Sequence, residues 1–257
     1  MLKMLSVIDC FSDRPNQPSA IIVAPQLKFL NWMDPYGPSS LHLCQIKCLQ
    51  TLSIIFLAYG PEGFTKNHAS LRLLRRFKVI ECLHITLIYP RGMGNFKNLM
   101  GDITGLPQAM VLNLSVSNEG HAFGASLFHL LKMCTGLRRL SLVLYTCRNL
   151  EAQSACPSGC VCDEPINWKT EELTLNCLQE VVIVDLKGTN HEVAFIRRLL
   201  SWAMMLKNMR ITFDLSISES KARELRQMLS SFTRPDSHGE FYMYRNAGKK
   251  LQYLLAP

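Results

Sequence analysis

The sequence predicts an α/β repeat protein, a curved parallel sheet backed by outer helices and ending in a smaller α/β subdomain. Three observations predict it. A six-residue apolar motif recurs through the 257 residues, helical periodicity separates its copies, and a segment rich in Cys, Pro, Gly and Ser interrupts the array after residue 147.

The motif is leucine-x-x-leucine-x-apolar. It occurs as Leu2/Leu5/Val7, Leu27/Leu30/Trp32, Leu49/Leu52/Ile54, Ile80/Leu83/Ile85, Ala109/Leu112/Leu114, Leu137/Leu140/Leu142, Leu178/Val181/Ile183 and Leu206/Met209/Ile211. Successive copies start 25, 22, 31, 29, 28, 41 and 28 residues apart. All but the sixth interval lie in or near the leucine-rich-repeat period of about 20–29 residues. Within each copy the last two apolar positions alternate along a strand and face one side, while the first packs at the turn leading in. One unit cannot bury its apolar face alone, so neighbours stack and their strands join into a parallel sheet. The solenoid is irregular. The Asn or Cys expected eight residues after the first leucine is present as Cys10, but Leu57, Ile88, Tyr145 or Asp214 stands there in other copies. No polar capping segment precedes Leu2, although solenoid ends normally need one.

The linking segments read as helices. Ser70–Lys78, Phe123–Cys134 and His191–Leu206 carry apolar residues three and four apart, as at Val193, Ile196, Leu199, Leu200, Ala203 and Met204. Ser218–Phe232 is a further amphipathic helix, opened by Ser218 as a cap before Glu219 and closed before Pro235. Glu151–Trp168 reads as a loop. The expected organisation is therefore repeats over 1–147, a connecting loop over 148–170 and a C-terminal subdomain over 171–257. In the last of these, Phe241, Met243, Leu251 and Tyr253 predict a hairpin around Asn246-Ala247-Gly248.

Composition excludes several classes. A mean hydropathy of +0.08 is too high for a disordered chain. The best apolar stretch, Leu52–Ala58, is far short of the roughly 18 residues a membrane helix needs. Met1–Phe11 has no small-residue cleavage site after an apolar run, so an intracellular protein, in cytoplasm or nucleus, is expected. Its ten cysteines are then expected to be reduced. A net charge of +8 raises the alternative of a basic nucleic-acid-binding protein. The cations nevertheless fall in short dispersed clusters such as Arg72, Arg75, Arg76 and Lys78, with few aromatics interleaved, and solvated helix faces account for them.

Chemistry has few candidates. Cys156, Cys160, Cys162 and Cys177 are the most ligand-like group, but three and then one intervening residues are not zinc knuckles and no second knuckle follows. Reduced loop cysteines are the expectation, and no metal is assigned. His191-Glu192 lacks the second histidine of a zinc-protease helix, because Phe195 stands at that position. Gly92-Met93-Gly94 is a turn rather than a phosphate loop, and His84 and His129 are expected to be structural or surface residues. No catalytic residue and no cofactor is assigned, and enzymatic activity is not expected. A surface remains: between the buried strand positions lie Asn31, Thr51, Ser53, Cys82, His84, Thr86, Val111, Asn113, Arg139, Ser141, Asn208, Arg210 and Thr212. On a solenoid these line the concave face, which commonly binds protein.

One long run carries a family resemblance: CPSGCVCDEPINWKTEELTLNCLQEVVIVDLKGTNHEVAFIRRLLSWAMMLKNMRITF. It resembles the FBD domain that ends plant F-box/leucine-rich-repeat proteins. The markers are the Cys-Pro lead-in to Trp168, the strand Leu178…Val181-x-Ile183, Lys187-Gly188, and His191-Glu192…Phe195…Leu199-Leu200 before Leu206…Met209. Upstream, IVAPQLKFLNW, LRLLRRFKVIECLHITLIYP and FGASLFHLLKMCTGLRRLSLVL are similar to the repeat region of grass members of that family. The resemblance implies the target-binding part of a cullin-RING ubiquitin-ligase receptor, in which an F-box module docks on a Skp-type adaptor. No F-box pattern precedes Leu2, so the chain is expected to be a fragment or isoform. Its implied partner is an unknown target protein, and its link to the ligase is indirect.

Overall fold

A computed structural model describes residues 2–10, 20–34, 41–61, 67–92, 96–145, 160–163, 166–245 and 249–252. The chain folds as two compact units, Met1–Ser117 and Asn118–Pro257. The Cys-rich segment expected at 148–170 as a boundary thus falls inside the second unit, where its described parts pack on a helix of that unit.

In the first unit, strands β1 (Met4–Ile8), β3 (Phe29–Met33), β5 (Thr51–Leu57), β7 (Cys82–Ile88) and β9 (Val111–Ser117) form a parallel sheet in that order. Each contains the last two positions of one copy of the leucine motif, whose first position lies just before the strand. The register places Leu5, Leu30, Leu52, Leu83 and Leu112 side by side, and Val7, Trp32, Ile54, Ile85 and Leu114 in the next inward row. From β3 to β9 both rows are buried, while on the edge strand β1 they are half-exposed. A strand's side chains repeat every two residues, so a one-residue slip would turn both rows to solvent; the leucines thereby specify the register.

Two smaller sheets carry no motif and were not expected. Strands β2 (Ala20–Val23) and β4 (Leu41–Cys44) pair in parallel, and β6 (Tyr59–Gly60) pairs with β8 (Lys97–Asn98) antiparallel. Helix α1 (His68–Arg76) packs against β5 where helical periodicity predicts it. Ser70 Oγ donates to the Ile55 carbonyl at 2.6 Å. The fully buried Asn67 amide both accepts from Leu57 N and donates to Leu57 O, each at 2.9 Å. Leu57 stands where a regular repeat places asparagine, so the strand-end backbone is satisfied by a side chain ten residues downstream.

The second unit orders β10 (Arg139–Tyr145), β11 (Glu180–Leu186), β12 (Asn208–Phe213) and β13 (His238–Arg245) in parallel, with β14 (Lys249–Gln252) antiparallel to β13. Leu140, Val181, Met209 and Gly239 form one row, and Leu142, Ile183, Ile211 and Phe241 the next. The expected hairpin therefore forms, with Met243 opposite Leu251. Its turn at 246–248 and Tyr253 lie outside the described residues. β13 also continues the parallel series, with glycine and phenylalanine in place of the leucines that would have marked it.

Helices α2 (Gly124–Lys132), α3 (Asn190–Trp202) and α4 (Glu219–Ser230) belong to this unit. α4 is capped by Ser218, whose hydroxyl accepts from Lys221 N. α3 begins with a capping box: Thr189 Oγ1 accepts from Glu192 N and Glu192 Oε2 accepts from Thr189 N. Parts of the expected loop form short turns, Val161–Asp163 and Ile166–Lys169, packed on α2. Trp168 in the second turn is 1% exposed and lies over the Cα of Gly124, where any Cβ would sit 2.6–2.7 Å from its ring atoms. No helix among the described residues is long and apolar enough to cross a membrane.

Candidate protein-binding face

Alternation that buries one row of each strand leaves the intervening row facing outward, and the positions singled out from the sequence, all but Thr212, lie there. In the first unit, Ser6, Asn31, Ser53, His84 and Asn113 stand in register across five strands. Thr51 lies beside Cys82, and Thr86 between Ile55 and Ser115. From Asn31 to Asn113 these side chains are half-buried. Asn31 Nδ2 donates to Ser6 Oγ at 2.9 Å. His84 Nε2 lies 3.0 Å from Asn113 Nδ2 and 3.1 Å from Cys82 Sγ, and Asn113 Nδ2 lies 3.2 Å from that sulfur. Asn31–Ser6 and Asn113 with His84 and Cys82 link adjacent strands across this polar row, which is flanked by half-buried Ile55, Leu57 and Ile88.

Burial lowers the pKa of His84 below its ordinary 6.5, because a charged imidazole loses solvation there. Between the lowered value and 6.5 the unfolded chain binds more protons than the folded one, so stability rises with pH across that window and is lost on acidification. Thermal melts between pH 7.5 and pH 5 are expected to show this loss, and His84→Gln to flatten it. Parallel slopes for the two proteins would remove His84 as the responsible group.

The outward row of the second unit is charged. Arg139 aligns with Glu180, Asn208 and His238, and Ser141 with Val182, Arg210 and Glu240. Arg139 Nε is 3.6 Å from Glu180 Oε2. Arg210 Nε donates to Glu240 Oε2 at 2.9 Å and Tyr242 Oη donates to the same oxygen at 2.8 Å. The Tyr242 hydroxyl and Arg210 hold the Glu240 carboxylate below its usual range, and the bond to Glu240 raises both Arg210 and Tyr242. Exposed pairs of this kind contribute about 0–1 kcal/mol. They order the surface more than they stabilise it.

Thr212 does not belong to this face: it is fully buried, and its hydroxyl finds no hydrogen-bond partner among the described residues. Glu180, Glu240 and Tyr242 were not anticipated. Aligning β13 with β12 would have revealed Glu240 beside Arg210, but β13 has no leucine to prompt that alignment.

The remaining candidates divide clearly. Cys156 and the Met93-Gly94 part of the glycine turn lie outside the described residues. Cys177 is exposed, Cys160 half-buried and Cys162 buried. Glu192 is held in its capping box, where burial raises its pKa; it organises the start of α3. A cleft of about 740 Å³ between α3 and α4 is basic, but its cations have partners. Arg197 lies over the Phe232 ring, Arg198 donates to the Glu171 carbonyl, and Lys221 pairs with Glu224. No family model matches the chain, and no curated protein and no solved structure matches it.

Proposed function

We propose that this chain is a non-enzymatic protein-interaction module, an irregular leucine-rich-repeat array ending in an FBD-like subdomain, similar to the target-binding part of an F-box ubiquitin-ligase receptor. The observation that carries the reading is the register. Eight motif copies more than two hundred residues apart at their extremes fall on parallel strands, each unit aligning its own outward row: polar and neutral in the first, charged in the second. Such rows are rigid, because each position is held by strand hydrogen bonds. A partner therefore meets them with little ordering cost.

The nucleic-acid alternative has less support. Lys132, Arg139, Arg198, Arg210, Lys221 and Arg223 each face a carboxylate, which diverts them from phosphates.

The test is quantitative affinity purification of the tagged chain from plant extract, scored for the Skp-type adaptor, cullin and other proteins. A variant carrying Thr51→Arg, His84→Glu, Asn113→Arg and Arg139→Glu is compared with an Arg223→Glu control on α4. The face variant is expected to lose specific partners about tenfold or more, a change of about 1.4 kcal/mol or above, with an unchanged circular dichroism spectrum. Equal recovery by both variants would sink the reading.

A further inference from the structure

We propose that His121, Cys160 and Cys162 bind a zinc ion. Their three ligand atoms all lie within 4.8 Å of one another, and His121 is distant in sequence from both cysteines. Only the fold of the second unit brings them together.

The spacing suits the metal. With zinc–sulfur bonds of about 2.3 Å and zinc–nitrogen bonds of about 2.0–2.1 Å, the edges of a tetrahedral site are roughly 3.5–3.8 Å. Cys160 Sγ is 3.5 Å from His121 Nδ1. The remaining edges, each within 4.8 Å, need a contraction of about 1.3 Å at most, within reach of side-chain rotation.

The surroundings also suit it. His121 is presented by a tight turn: His121 N donates to the Asn118 carbonyl at 2.7 Å, and the central residues Glu119 and Gly120 have φ of 46° and 87°. The Asn118 amide donates to the His121 carbonyl at 3.1 Å and fixes the turn from the other side. Ala122 N donates to Cys162 Sγ at 3.4 Å. A backbone N–H aimed at sulfur favours the thiolate, the form that binds metal. His121 is 7% exposed and Cys162 1%.

Two thiolates and an imidazole are soft or borderline donors, and there is no carboxylate among the three. That set selects zinc over magnesium or calcium. Binding converts two thiols to thiolates and releases two protons to solvent. These three donors among the described residues supply three of the four positions of a tetrahedral site. The ion would clamp the Val161–Asp163 turn to the start of α2, which gives it a structural role. This site is independent of the outward strand rows and stands or falls separately from the interaction reading.

The experiment is metal analysis of the full chain, purified under reducing conditions after expression with zinc, followed by cobalt substitution. About one zinc per chain is expected, with thiolate-to-cobalt charge-transfer bands in the cobalt form. Loss of an outer-shell partner already weakens metal sites about 10–100-fold. His121→Ala, Cys160→Ser and Cys162→Ser are therefore each expected to weaken zinc at least tenfold in competition with a chromophoric chelator. Cys177→Ser is expected to bind as the parent does. Cys160 is only half-buried, so Cys160→Ser should keep the parent circular dichroism spectrum and separate ligand loss from unfolding. A metal-free parent chain with reduced thiols, or binding unweakened in all three variants, would overturn the proposal.

Discussion

Trp202→Ala is expected to destabilise the second unit by about 3–5 kcal/mol, the usual cost of emptying a large aromatic site. Trp202 ends α3 and is fully buried. Its ring lies 5.1 Å from Phe128 of α2 and 6.4 Å from Phe195 of α3, with the Arg198 guanidinium 5.3 Å from its centroid. Phe195 in turn lies 5.7 Å from Phe123 and 6.2 Å from Trp168. Alanine would leave a void at the centre of this cluster. Trp202→Phe is expected to cost much less. The indole N–H is buried with no acceptor among the described residues, and a buried donor left unpaired costs about 1–3 kcal/mol. Phenylalanine removes that penalty while keeping most of the apolar volume. Denaturant titration of the two variants is the check. Equal losses for both would mean that the ring's volume is not what stabilises the site.

Gly188→Ala is expected to cost about 2–5 kcal/mol, more than most surface substitutions. Gly188 has φ +73°, and a side chain in that region adds about 1–2 kcal/mol of steric strain. An added Cβ would also meet buried Leu225 of α4, 2.6 Å from Cδ2 and 3.0 Å from Cγ. Overpacking of this kind adds about 1–3 kcal/mol. The two contributions separate in a double-mutant cycle. Combined with Leu225→Ala, the substitution should lose its clash but keep its backbone strain, so the coupling energy should be about 1–3 kcal/mol and the residual penalty about 1–2 kcal/mol. An additive cycle, with no coupling, would refute the close approach.

Both residues lie in the C-terminal run from Cys156 to Phe213, and the structure gives physical reasons for several of its residues. Lys187-Gly188 is the turn that lets the chain leave β11 and enter α3 beneath Leu225. His191-Glu192 includes the carboxylate of the capping box. Trp168 is a wall of the aromatic cluster and reaches the start of α2. A Cys-Pro-Gly-rich lead-in reads as loop because its Pro, Gly, Ser and Asp residues disfavour regular structure locally. Local preference does not report that the loop's last residues are buried against a helix some forty positions earlier.

Legibility followed period. Strands β1, β3, β5, β7, β9, β10, β11 and β12 were marked by leucine spacing, and α1 to α4 by apolar residues three and four apart. The pairs β2–β4 and β6–β8 were not, since strands of two to four residues contain too few alternations to signal. The pattern of β13 marks half of a hairpin but not a partner of β12, because Gly239 and Phe241 replace the marker leucines.

The sequence by itself determined the order of the eight motif strands and of α1 to α4, the inward rows on those strands and most of the outward row between them, because these follow from the periods two and 3.6 of the backbone. Tertiary structure alone decided which distant groups meet: Asn67 on the Leu57 backbone, Glu240 and Tyr242 on Arg210, and His121 beside Cys160 and Cys162. Those contacts depend on chain reversals and packing distances, which no local period encodes.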